Sequence, residues 1–132
     1  MASVRDVMST DLVAVEPTAT IAEAATLMGE RRVGSALVLE GTRLVGILTE
    51  RDVLRALAGH FDAARQPVEQ WMTPNPTTIG PDATVRDALE LMLARGFRHL
   101  PVVEDDRVVG MVSIRDLSRA ALAPGGPGPV LR

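Results

Sequence analysis

The chain has 132 residues, 46% of them hydrophobic, which is enough to bury an interior and too apolar for a disordered segment. Its formal net charge is -3 and its basic residues are scattered, which argues against an electrostatic grip on nucleic acid or on an anionic membrane. With no cysteine there is no disulfide, thiolate metal site or cysteine nucleophile, and nowhere do about 18 apolar residues run together to span a membrane.

The opening "MASVRDVMST" lacks the apolar centre of an export signal, so the expected location is cytoplasmic. From Val4 onward the chain repeats itself: a shift of 64 positions lays Val4–Ala58 on Val68–Leu122 without a gap. Met8 falls on Met72, Pro17 on Pro81, Leu27-Met28 on Leu91-Met92, Val45-Gly46 on Val109-Gly110, and Arg51-Asp52 on Arg115-Asp116. The sequence therefore divides into repeat 1 (4–58), a linker "GHFDAARQP" (59–67), repeat 2 (68–122) and a Gly/Pro-rich tail (123–132) expected to be disordered.

In chain order, each repeat predicts the same elements. "LVAV" (12–15) and "PTTI" (76–79) read as short extended segments. Thr20 with Glu23, and Thr84 with Asp87, have the spacing of capping boxes and open helices. Ile21, Ala24, Ala25, Met28 and Val85, Ala88, Leu89, Met92 put one apolar stripe on each helix, facing a sheet. Two β-branched-rich runs follow, joined through "EGTR" in repeat 1 and "EDDR" in repeat 2, short polar segments of hairpin length. "GILTERDVLRAL" (46–57) and "GMVSIRDLSRAA" (110–121) then start a second helix, ended in repeat 1 by Gly59. The expected fold class is α/β (α+β): two β-α-β-β-α repeats with small mixed sheets and helices packed on them.

These residues carry a family resemblance. The element order, the methionine ahead of the first strand, "LPVVEDDRVVGMVSIRD" and its looser copy "ALVLEGTRLVGILTERD" resemble the cystathionine-β-synthase (CBS) domain, tandem pairs of which make a Bateman module. The resemblance covers residues 4–122. It implies a pseudo-twofold pair of α/β units that bind adenosine-containing ligands such as AMP, ADP, ATP or S-adenosylmethionine in clefts between the repeats.

Thr49 with Asp52, and Ser113 with Asp116, are explained by capping alone. The same geometry also suits a ligand, because a helix start offers free N–H groups and a positive dipole end to a phosphate, while a carboxylate one turn in can accept from both ribose hydroxyls. The resemblance assigns Asp52 and Asp116 to ribose and Thr49 and Ser113 to the phosphate side. It takes the rest of each pocket from the first strand and the entry to the second strand of the other repeat: Val13, Val33, Gly34 and Ser35 on one side, Thr77, Phe97, Arg98, His99 and Pro101 on the other. Val13, Val33 and Phe97 also read as core. Leu37 stands where repeat 2 has Pro101, and Gly34-Ser35 where it has Arg98-His99, so positive charge for a ligand's phosphates is concentrated on repeat 2. That favours AMP, ADP or ATP over cationic S-adenosylmethionine.

Catalysis finds little support in the sequence. His60 and His99 are far apart and lack acidic clusters, so no metal site is expected; there is no phosphate-binding G-x-x-x-x-G-K-[ST] loop, and no nucleophile, base and orienting acid can be nominated. The expected function is a non-catalytic sensor of an adenosine-containing ligand, with a structural or adaptor module for a protein partner as the alternative. Val53, Leu54 and Leu57, with Leu117, Ala120 and Ala121, supply apolar helix surface that predicts a homodimer. Trp71 reads as an apolar anchor where the linker meets repeat 2.

Overall fold

Four capped helices and two hairpins organise the computed structural model, which describes residues 2–123. Residues 124–132, where most of the expected disordered tail falls, lie outside the described residues. The chain divides into two compact units: Leu12–Pro76, and the described residues of Met1–Asp11 together with those of Thr77–Arg132.

The unit Leu12–Pro76 holds β1 (Ala14–Val15), α2 (Ile21–Arg31), β2 (Ser35–Glu40), β3 (Arg43–Thr49), α3 (Glu50–Gly59) and β4 (Thr73–Pro74). Thr20 Oγ1 accepts from the Glu23 amide at 3.1 Å, a one-way cap where the sequence predicts a reciprocal box. Ile21, Ala24 and Met28, one stripe of α2, are buried, as helical spacing requires. The sheet runs in the order β1-β2-β3-β4, with β1 parallel to β2 and the other pairs antiparallel. Gly41, at φ 64°, turns the β2–β3 hairpin.

The other unit holds α1 (Val4–Val7), α4 (Val85–Arg95), β5 (His99–Glu104), β6 (Arg107–Ser113) and α5 (Ile114–Leu122). Thr84 and Asp87 form the complete box at α4, and Gly96, at φ 73°, ends that helix in the left-handed conformation. β5 and β6 pair antiparallel across Asp105 (φ 52°) and Asp106 (φ 63°), the two positive φ values of a tight hairpin turn. The extended segment predicted at 76–79 shrinks to a single bridge, Ile79 parallel to Val102.

Residues at the same point of the two repeats complete these cores in matching fashion. Val4 is fully buried among Val85, Leu100 and Val112, and Val68 is fully buried among Ile21, Ala36 and Leu48. The Val4 amide donates to the Ala83 carbonyl and the Val68 amide to the Ala19 carbonyl, each at 2.8 Å. The arm starting at Val4 thus packs with the second sequence repeat, and the arm starting at Val68 with the first. Each arm ends by pairing with a strand edge: Ser9 and Met111 exchange backbone hydrogen bonds at 2.8 and 2.9 Å, and Thr73–Pro74 pairs with Gly46 and Ile47 of β3.

The recurring strand glycines are explained by these arms. A Cβ on Gly46 would overlap Met72 Sδ and lie 2.9 Å from its Cγ; one on Gly110 would lie 2.9 Å from Met8 Cγ and 3.1 Å from the Ser9 carbonyl. Glycine is required because a methionine crosses directly over the strand. Gly110→Ala is expected to cost about 1–3 kcal/mol of stability. Gly46→Ala should cost less, because its new methyl meets only a bendable methionine, whereas the one at Gly110 also meets backbone. Urea unfolding of the two variants checks the order; a Gly110→Ala midpoint equal to wild type would contradict the close approach.

Candidate functional site

Each hairpin delivers a strand directly into a helix, and the residue at the switch is a hydroxyl. At the end of β3, Thr49 has extended backbone and caps α3: its Oγ1 accepts from the Asp52 amide at 3.3 Å, while Asp52 Oδ2 accepts from the Thr49 amide at 2.9 Å and from Oγ1 at 3.1 Å. Asp52 is only 7% exposed, and its other oxygen, Oδ1, accepts from Arg55 at 3.3 Å. Such a carboxylate is tolerated in a buried position because donors meet both its oxygens.

Ser113 repeats the switch at α5 with a lighter set of bonds. Its Oγ accepts from the Asp116 amide at 3.1 Å and donates to Asp116 Oδ2 at 2.9 Å. The sequence predicts a full box here as at Thr49; the geometry is a one-way backbone cap plus a hydroxyl–carboxylate bond.

Of the remaining predicted residues, the strand entries lie beside these switches. Ser35 is buried and pairs with Thr49; His99 pairs with Ser113. Just before them, the Gly34 carbonyl accepts from Glu50 at 3.0 Å and the Arg98 carbonyl from Ile114 at 2.9 Å, tying each strand entry to the first turn of the helix. Val13 is core, at 7% exposure, and its carbonyl accepts from Leu37. Val33 and Phe97 pack half-buried on their units' cores. Pro101 is buried, with its carbonyl accepting from Ile79; Thr77 is half-buried and Arg98 exposed. Both units therefore gather a first extended segment, a strand entry and a hydroxyl–acid helix start.

A cluster that sequence reading did not single out surrounds Asp52. Arg55 also donates to the Trp71 carbonyl at 3.1 Å and lies 5.3 Å from the centre of the Trp71 ring. Trp71 in turn donates to Gln66 Oε1 at 2.7 Å and packs in a T-shaped contact with His60, ring centres 5.2 Å apart. Trp71 packs on the core of Leu12–Pro76, so it anchors the linker to the first repeat, not the second as its position suggests. The available signal was Arg55, one turn after Asp52 and matched by Arg119.

The helix surface expected to drive assembly divides unequally. Leu54 and Leu57 are exposed, but Leu117 and Ala121 are buried within their own unit. Among the described residues, no three of His, Asp and Glu gather closely enough to hold a metal ion, and no helix is long and apolar enough to cross a membrane.

A family model described as the CBS domain matches residues 4–59 and again 68–123. The CBS domain-containing protein YhcV of Bacillus subtilis is 34% identical over 131 residues, covering 99% of this chain and 94% of that protein. Among solved structures, the CBS domain pair of protein MJ0100 in complex with 5-methylthioadenosine and S-adenosyl-L-methionine superposes with a TM-score of 0.82 at 30% identity, over 89% of this chain and 94% of that one. CBSX2 in complex with AMP does so with a TM-score of 0.80 at 28% identity, over 92% and 97%. Two matched domains, each ending in the same strand-to-helix switch, make this chain a member of the CBS-domain family, with one CBS domain in each repeat.

Proposed function

We propose that the chain is a non-catalytic regulatory module whose two hydroxyl–acid helix starts bind an adenosine-containing ligand. The observation that carries this reading is the recurrence of Thr49/Asp52 and Ser113/Asp116 at the same strand-to-helix switch in both units. At α5 the cap itself uses only the Ser113 hydroxyl, with no reciprocal bond from the backbone to the Asp116 carboxylate, so capping alone does not require that acid. MJ0100 with its methylthioadenosine and S-adenosyl-L-methionine, and CBSX2 with its AMP, supply the ligand class. In this role the ribose hydroxyls donate to the aspartates, the phosphate meets the Ser/Thr hydroxyl and the helix amides, and the base lies beside Val13, Val33 and the strand entry Gly34-Ser35 or, in the other unit, beside Thr77, Phe97 and Pro101.

AMP, ADP and ATP rank ahead of S-adenosylmethionine because Arg98 is an exposed cation at a strand entry bonded to the start of α5. His99 follows it in the chain, whereas the first unit offers Gly34 and Ser35. The proposed setting is cytoplasmic, where such nucleotides are available. A second reading, an adaptor in which the elements are caps only, is favoured at one point: both oxygens of the Asp52 carboxylate already accept hydrogen bonds.

Calorimetry with AMP on folded variants separates the readings. Asp116→Ala should weaken binding at its element about ten- to a hundredfold, the loss of charge-assisted hydrogen bonds of about 1.5–3 kcal/mol. Arg98→Ala should weaken AMP binding, and added salt should shrink that difference. AMP at a hundred times its dissociation constant should stabilise the fold by about 2.7 kcal/mol. Unchanged affinity in Asp52→Ala and Asp116→Ala, or no stabilisation by any adenosine compound, would leave the adaptor.

Assembly is proposed as a homodimer joined through α3. Leu54 is 67% and Leu57 54% exposed, and Phe61 just beyond the helix is fully so, a set of large apolar side chains unusual for a free surface. Light scattering at micromolar concentration should give twice the 14.1 kDa chain mass, and Leu54→Glu/Leu57→Glu should return it to 14.1 kDa. A wild-type chain of 14.1 kDa would contradict the dimer.

A further inference from the structure

We propose that Arg55, seated on Trp71, is a specificity-determining residue that makes the two helix-start elements unequal by competing with the ligand for Asp52. This rests on the reading that both elements bind an adenosine-containing ligand. A carboxylate that accepts from two ribose hydroxyls needs open lone pairs on both oxygens. Asp52 Oδ2 already takes two bonds from Thr49, and Oδ1, the oxygen left for the ligand, is taken by Arg55 at 3.3 Å.

Arg55 is held in that position from more than one side. Its guanidinium reaches the Trp71 carbonyl at 3.1 Å and faces the indole at 5.3 Å, so both a hydrogen bond and a cation–π contact hold it where it meets Asp52. The indole is fixed in turn by Gln66, whose own amide donates to Asp62 at 3.1 Å, and by the T-shaped contact with His60. These partners belong to the 60–71 stretch that the sequence marks as linker and its sequel.

The second repeat is built differently. Arg119 stands 64 positions after Arg55, but the residue 64 positions before Trp71 is Val7 and the one before Gln66 is Ala2. Val7 and Ala2 cannot support Arg119 as Trp71 and Gln66 support Arg55. Asp116 keeps its bonds to Ser113, so the second element is the stronger ligand site and the first fills only when Arg55 yields.

Filling the first element then moves Arg55 off the ring of Trp71. Trp71 is the single tryptophan of the chain, so its emission reports that element alone. The pair is partly exposed, with the Arg55 side chain 58% accessible, so the handicap it imposes is about two- to fivefold in affinity.

The test is an AMP titration followed by calorimetry and by Trp71 fluorescence, with circular dichroism confirming that each variant is folded. In the Asp116→Ala chain, whose second element is weakened about ten- to a hundredfold, adding Arg55→Gln should tighten AMP binding at the first element about two- to fivefold. The emission change of Asp116→Ala should saturate with its calorimetric dissociation constant and vanish in Asp52→Ala. Unchanged affinity on adding Arg55→Gln would reduce Arg55 to a structural role, and weakened affinity would make it a ligand contact; either overturns the proposal. Absence of binding to wild type by AMP and by every other adenosine compound would overturn the parent reading itself, a result distinct from both.

Discussion

Everything in this fold depends on two valines, Val4 and Val68, buried in the core of the unit that holds the other sequence repeat. Burying a valine side chain stabilises by about 1.5–3 kcal/mol, and each also brings an arm whose amides and carbonyls finish a sheet edge. Thr73–Pro74 lies along β3 and Ser9 along β6, so neither hairpin is left with that stretch of edge unpaired. The cost is steric. A methionine from each arm passes over the strand, and only glycine at 46 and 110 leaves room for it.

With the strand edges covered in this way, the far ends of β3 and β6 are fixed where they turn into α3 and α5. The proposed ligand elements sit at those ends. Thr49 and Ser113 are the last residues of their strands and the caps of their helices, and Gly34 and Arg98 tether the neighbouring strand entry to the same first turn. One short region therefore presents a hydroxyl, helix amides and an acid, the donors and acceptor that the proposed ligand calls for. The two regions differ in what surrounds the acid, which is where Arg55 and Trp71 enter.

What could be read from the sequence was what is local or repeated. The shift of 64 positions, the Thr84–Asp87 and Thr49–Asp52 boxes and the buried stripes of α2 and α4 follow from spacing within about ten residues, or from its recurrence, and the CBS-domain family from the resemblance that the two repeats' motifs carry. The Thr20 and Ser113 caps were legible as caps but not as one-way ones, because the reciprocal bond depends on side-chain direction rather than residue type. What escaped is non-local. Nothing in "VMST" or "WMTP" says which strand will receive the methionine, since that is decided by tertiary packing between residues far apart in the chain. The packing of Trp71 on the core of the first repeat is hidden for the same reason, and so is the burial of Leu117 within its own unit. Arg55 escapes sequence reading as well, because the Trp71 it meets lies 16 residues further along the chain.

The central claim, that the two strand-to-helix switches are ligand sites and not merely caps, is tested most directly by amide chemical-shift mapping as AMP is added to the isotope-labelled chain. The account predicts that perturbations concentrate at Thr49 to Asp52 and at Ser113 to Asp116, with the second set appearing at lower AMP concentration than the first. Shifts absent from both sets, or confined to other surfaces while AMP binds, would contradict it.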